Sequence, residues 1–271
     1  MELCDPVYVE EQDLEFLTME KVILFQLQQL VHSSSPFSRA FCGIVETIRY
    51  LSSRAHRLSE RWGNIPVVLT GDFNSTPQSA IYKFLSSSKL NIMSYNRKEL
   101  SGQRNCRPAQ VFGIEREIES PFRLVDRIMD FCWNIEDVRT ATGSADNQVV
   151  EHPLKLTSSY ATLRGSKETR GTNGEPLATS YHSKFLGTVD YIWYSQGLEP
   201  TRLLDTLPMD VLRKTKGLPY KKLGSDHLAL VTEFVFTEAE EDNSDNEAAT
   251  LSSPAVSSSL ASESKDDTSL P

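Results

Sequence analysis

Apolar residues Ile44, Ile48, Leu51, Ala55, Leu58 and Trp62 recur every three or four positions, with Arg49, Arg54, Arg57 and Glu60 between them. This spacing predicts an amphipathic helix with one face turned to a core, and Gly63 predicts its stop. The next segment, IPVVLT, is an almost continuous apolar run, as expected of a strand covered on both faces. A second helix is expected over QSAIYKFLSSS, with Ile81, Phe84 and Leu85 inward, Thr76 as N-cap and Pro77 as first helical residue. Helix, buried strand and helix in succession predict an α/β layered core.

Beyond Leu90 the pattern is mixed. PFRLVDRIMDFCWNIEDVRTATG holds a further helical stretch, whereas SGQRNCRPAQ and LRGSKETRGTNGEP read as loops, long enough to be functional rims or disorder. GTVDYIWYS is aromatic and β-branched. In DHLALVTEFVF, Leu228, Leu230, Thr232, Phe234 and Phe236 alternate with Ala229, Val231, Glu233 and Val235, so both segments are expected in sheets. EFLTMEKVILFQLQQLV is compatible with a helix, and SSSPFSR with a break after it.

The 271 residues are 39% hydrophobic, enough for a real core. The net charge of −9 is localised: Glu238 to Pro271 holds nine acids and one Lys, leaving about −1 for the rest. A nearly neutral body excludes a broad basic face for nucleic acid, so phosphate chemistry needs a confined site. The Ser, Asp and Glu rich end lacks aromatics and is expected to be a disordered acidic tail. Cys4, Cys42, Cys106 and Cys132 are scattered, with neither zinc-finger nor disulfide spacing, so reduced thiols are expected. No leader pattern or membrane-spanning run stands out, and a soluble cytosolic or nuclear protein with no membrane partner is expected. The chain thus divides into residues 1–47, an α/β body over 48–236, and a tail over 237–271.

Three short stretches share one design, an apolar strand meeting a carboxylate near its end: Asp72 and Asn74 in GDFN, Asp190 in TVDYIWYS, and Asp226 with His227 in GSDHLAL. A lone G-D-x-N is more often a turn, and an isolated S-D-H more often a cap. Their joint placement favours a site, because acids are rarely buried unless paired or metal-bound, and strand ends carry sites in layered α/β folds. Hard oxygen donors suit magnesium, or manganese, while an imidazole held by an acid manages a proton or stabilises phosphorane-like charge. His56 is expected to be solvated, His32 and His152 lie in loop-like text, and His182 could line a rim.

GDFNSTP, GTVDYIWYS and GSDHLAL resemble the C-terminal motifs of the endonuclease/exonuclease/phosphatase family, and SYHSKFLGTVDY resembles its carbon-catabolite-repressor deadenylases, the plant forms above all. The resemblance runs from about Ile48 to Phe236. It implies a DNase I-like four-layer α/β sandwich that uses magnesium to remove 3′-poly(A) from messenger RNA, with single-stranded RNA and deadenylase-complex proteins as partners. Position by position, it implies that Asp72 orients or deprotonates the attacking water, Asn74 holds the phosphate or its nucleotide, and Asp226 and Asp72 face the metal. Asp190 would orient His227. Phe185 would stack a base, although a core Phe beside a strand is nearly as natural a reading.

The N-terminal motifs of that family, among them a metal-holding Glu, are not recognisable. FSRAFCGIVET stands where an Asn-x-His strand belongs, and VYVEEQ, with Glu10 or Glu11, is the only weak candidate for the missing acid. The expected fold is therefore an incomplete sandwich. Two readings stay open, a magnesium-dependent 3′-exoribonuclease and a non-catalytic fragment that binds RNA or protein, while SYHSKFLGTVDY speaks against a third, an endonuclease or lipid phosphatase of the same fold.

Overall fold

In the computed structural model, which describes residues 23–27, 38–114, 133–221 and 223–237, the helix expected from Ile44 runs over Ser38–Arg61 (α1). Ile44, Ile48 and Ala55 are buried and Leu51 and Leu58 pack at the edge of the same core. Trp62 departs from the pattern: it is 64% exposed, because the helix ends at Arg61 and Gly63 turns the chain at φ 85° before Trp62 can reach the core.

Helix α1 follows strand β1 (Ile23–Leu27), so the helix suggested across that stretch gives way to a strand. β2 (Val67–Asp72) pairs parallel with β1. The next helix, α2 (Ala80–Ser87), buries Ala80, Ile81, Phe84 and Leu85 as expected. Its cap is one turn later than Thr76, since Ser79 accepts from the Tyr82 N–H while Thr76 donates its hydroxyl to the Ser101 carbonyl. Gln78 at φ 68° turns the chain between them.

The text read as loop from Ser101 to Gln110 contains short helical turns, Gln103–Asn105 and α3 (Pro108–Val111). The antiparallel pair of β3 (Lys89–Asn91) and β4 (Val149–Glu151) brackets in sequence α4 (Ile135–Thr142), which is the described part of the further helical stretch. The chain continues through β5 (Thr157–Ser158), α5 (Ser159–Thr162), β6 (Ser180–His182), β7 (Phe185–Gly187), β8 (Asp190–Tyr194), β9 (Leu198–Leu204), α6 (Met209–Thr215) and β10 (Val231–Phe236). The strand expected from Asp226 begins only at Val231. The acidic tail, VYVEEQ, His32 and residues 115–132 lie outside the described residues.

Layering follows from side-chain alternation. The main sheet has the order β1-β2-β8-β5, with β8 antiparallel to both neighbours. Alternate residues point to opposite faces. Leu69, Tyr191 and Trp193 join the helices' core, and the Trp193 ring meets that of Tyr82 of α2 at 5.0 Å. On the other face Val68 lies opposite Tyr194, whose ring meets Phe234 of β10 at 5.3 Å. Helices, a four-stranded sheet and the β9-β10 ribbon are thus stacked, and each fully buried large side chain contributes about 1.5–3 kcal/mol. Among the described residues no helix is long and apolar enough to cross a membrane, and Cys106 is a free thiol.

Candidate active site

The antiparallel register of β2 and β8 sets Asp72, the last residue of one strand, directly opposite Asp190, the first of the other. The third segment is the strap leading to β10, which bridges to β6 through Ser180 and His227. The Tyr181 N–H and the Ser180 hydroxyl both donate to the Asp226 carbonyl, at 3.4 and 3.2 Å. His227 Nδ1 lies 2.8 Å from Asp190 Oδ2. An ionised carboxylate only accepts, so Nδ1 donates and Nε2 remains for a ligand.

The tip after β2 is braced on several sides. The Asn74 N–H donates to Asp72 Oδ1 at 2.8 Å, and Asn74 sits at φ 47°, a left-handed conformation that Asn tolerates better than most residues. The Gln103 amide donates to the Asn74 carbonyl, and the Tyr191 hydroxyl to the Ser75 carbonyl at 2.8 Å. Thr179, fully buried, sits behind Asp190. Its Oγ1 accepts from the N–H groups of Val189 and Asp190 at 3.0 and 3.2 Å, and its carbonyl accepts from the Leu228 N–H at 2.7 Å.

Burial pushes the Asp72 carboxyl up to about 6, opposed by the Asn74 N–H and by His227, and reinforced by the charges of Asp190 and Asp226. His227 is held above its ordinary value chiefly by its hydrogen bond to Asp190, with burial opposing and the charges of Asp190, Asp72 and Asp226 reinforcing. The four groups therefore form one electrostatic cluster. Asp226 is exposed at its rim.

Asp72, Asn74, Asp190, Asp226 and His227 converge as their strand-end positions suggest. Phe185 is buried, 8% exposed, with its ring tilted against His182 at 6.0 Å. His152 is a core residue, with Nε2 3.0 Å from the Phe84 carbonyl and its ring charge disfavoured by burial. Thr179, Gln103 and Tyr191 escape sequence reasoning. The first lies in SYH-flanking text with no strand signal, and the others act on residues 29 and 116 positions away.

Among the described residues no three His, Cys, Asp or Glu side chains group so as to hold a metal ion. Asp72 and Asp226 do supply two carboxylates, which suffice for magnesium when water and phosphate oxygens complete its shell. The fit is electrostatic as well, because a cation would offset the burial that chiefly raises Asp72 and the charges of Asp190 and Asp226 that add to it.

Residues 36–227 match the sequence pattern of the Endonuclease/Exonuclease/phosphatase family. Carbon catabolite repressor protein 4 homolog 3 of Arabidopsis thaliana is 60% identical over 191 residues, covering 70% of this chain and 42% of that protein. Homolog 5 of the same plant is 46% identical over 189 residues, with the same two coverages of 70% and 42%. This chain thus spans less than half the length of these curated relatives. Among solved structures, ANGEL2, a 2′,3′-cyclic phosphatase in complex with adenosine-2′,3′-vanadate, superposes with a TM-score of 0.54 at 23% identity, over 79% of this chain and 56% of that one. This likeness assigns the DNase I-like fold.

Proposed function

The chain belongs to the Endonuclease/Exonuclease/phosphatase family, and on that premise we propose that its strand-end cluster serves magnesium-dependent hydrolysis of a phosphodiester, in a 3′-exoribonuclease that shortens poly(A). The observation that carries this reading is the Asp190–His227 hydrogen bond set opposite Asp72 at the end of one sheet. Asp72, with its carboxyl near 6, is poised as a general base for the attacking water close to neutral pH. Asn74 holds the scissile phosphate. His227, its Nδ1–H tied to Asp190, presents Nε2 to the charge that builds on phosphorus, and its raised pKa favours the protonated, donating form. Asp226 and Asp72 would hold magnesium or manganese, which when bound polarises the phosphoryl oxygen and eases deprotonation of water.

The resemblance of SYHSKFLGTVDY to the deadenylases supports single-stranded RNA with a 3′-A tail as substrate, proteins of a deadenylase complex as partners, and the cytosol or nucleus as the place of work. Two labelled RNAs test it in magnesium, one with a 3′-A tail and one ending in a 2′,3′-cyclic phosphate, the chemistry named for ANGEL2. Stepwise release of adenosine nucleotides from the first, lost in Asp72→Ala and His227→Ala, is expected. Opening of the cyclic phosphate alone would reassign the substrate. If the folded chain cuts neither RNA, the reading falls, and RNA retained by it without cleavage would favour a binding module. Magnesium at a hundredfold excess over its Kd is expected to stabilise the fold by about 2.7 kcal/mol, and Asp72→Asn to abolish that gain.

A further inference from the structure

Three backbone segments must stay in register for Asp190 to meet His227: the entry to β8, the strap at Asp226–Leu228, and the end of β7 at Gly187. One side chain touches the first, and its own backbone holds the other two. The Thr179 hydroxyl accepts from the N–H groups of Val189 and Asp190 at 3.0 and 3.2 Å. The Thr179 N–H donates to the Gly187 carbonyl at 2.9 Å, and its carbonyl accepts from the Leu228 N–H at 2.7 Å. The residue is fully buried, so these bonds are shielded from competing water. A backbone N–H hydrogen bond on Asp190 fixes where its carboxylate starts, and the bond to Leu228 fixes the residue after His227.

We propose that Thr179 is a positioning residue which clasps β8 to the His227 strap and holds the Asp190 carboxylate on His227 Nδ1. It touches neither substrate nor reacting atoms. The assignment rests on the reading of Asp190 and His227 as a catalytic pair, but its geometric part stands without that reading. Thr suits this position because the γ-oxygen takes two donors at once. Val keeps the shape and removes the acceptor, leaving two N–H groups to find other partners. Ser keeps the acceptor and removes the methyl.

The test uses the full chain. In the first arm, the downfield proton resonance of an imidazole N–H bonded to a carboxylate is recorded and assigned to His227 by its loss in His227→Gln and Asp190→Asn. Thr179→Ser is expected to keep it, and Thr179→Val to lose or broaden it while the rest of the spectrum stays dispersed. In the second arm, cleavage of the A-tailed RNA, Thr179→Val is expected to lower kcat about 10- to 100-fold, the scale of a small misplacement. KM should stay within about twofold, as for a loss realised only in the transition state, and Thr179→Ser should recover most of kcat.

An unchanged resonance in Thr179→Val overturns the proposal. So does its loss in Thr179→Ser, or a Val variant that fails to fold beside a native Ser variant, since the hydroxyl would then support the domain as a whole. If the parent chain cleaves no RNA, the resonance arm still decides the role of Thr179, and only the reading of the reaction fails.

Discussion

The ion-pair networks inside this chain and the cluster at its strand ends both bring buried or half-buried acids into close contact, but they balance charge differently. Arg97 and Asp137 form a pair with both side chains less than 10% exposed. Arg170 donates through Nε to Asp205 at 2.6 Å, stacks over the Tyr160 ring at 4.3 Å and donates through Nη1 to the carbonyls of Tyr160 and Gly174. Each acid there meets a cation. At the strand ends Asp72, Asp190 and Asp226 share one imidazole, and among the described residues no Lys or Arg pairs with any of them. Structural networks are neutralised within the fold, whereas the strand-end cluster keeps a surplus of negative charge, the pattern expected of a site that meets a cation.

The contrast is broken or sharpened first at the pair itself. His227→Gln is expected to cut the rate of phosphodiester cleavage by about 100- to 10,000-fold, the range of a lost general acid or base, while thermal unfolding stays within a few degrees of the parent. A large loss of stability with a small loss of rate would place His227 among the structural groups. The reverse holds for Asp137→Ala. Leaving Arg97 buried without its carboxylate should cost about 3–5 kcal/mol in urea unfolding, with kcat of the folded fraction unchanged.

Next comes pH. Burial holds the Asp72 carboxyl at about 6, against 3.8 for an ordinary Asp. Between those values the folded protein keeps a proton that the unfolded chain has released, so stability falls as pH rises across that window. Above it the penalty is in full force, roughly 3 kcal/mol at about 1.4 kcal/mol per pH unit. His227, with its pKa raised by Asp190, contributes stability that is fully present below 6.5 and lost as pH rises through its folded value. Both groups therefore make metal-free protein lose stability from acid toward neutral pH. Asp72→Asn should raise Tm at pH 7 and leave it nearly unchanged at pH 4. An equal gain at both values would remove Asp72 from the cluster.

The comparison also marks what a linear sequence can carry. α1, β2, α2 and β8 were legible because their signals are local: apolar periodicity over a few turns, or a run of β-branched and aromatic residues. Asp72 and Asp190 were legible because a polar residue at the end of an apolar strand violates the strand's own pattern, and Asp226 and His227 because they precede an alternating run, although the strand itself starts only at Val231. The Arg170–Asp205 pair, 35 residues apart, and the Thr179 clasp leave no such trace, since hydrogen bonds between distant segments impose no period. β9 includes Pro200 and most of its residues are at least partly exposed, so it does not read as a strand. Phe185 reads nearly as well as core as it does as platform from its neighbours, and its burial, 8% exposed, leaves no trace in the sequence.

The smallest expected effect lies on the β9-β10 ribbon, where charge is balanced but wet. Arg202 Nη2 and Nε approach Glu233 Oε2 at 2.7 and 2.9 Å, yet the two side chains are 78% and 53% exposed. Water already solvates both charges in the unfolded chain and nearly as well in the folded one, so little is gained by their contact and side-chain entropy is lost in making it. Arg202→Gln is therefore expected to change stability by about 0.5 kcal/mol or less, and salt should shrink even that difference as the screening length falls. Distance alone would rank this pair with Arg170–Asp205. A loss as large as that of Asp137→Ala would mean that proximity, and not burial with or without neutralisation, sets the worth of charges in this fold, and the distinction between its structural and functional acids would lose its physical basis.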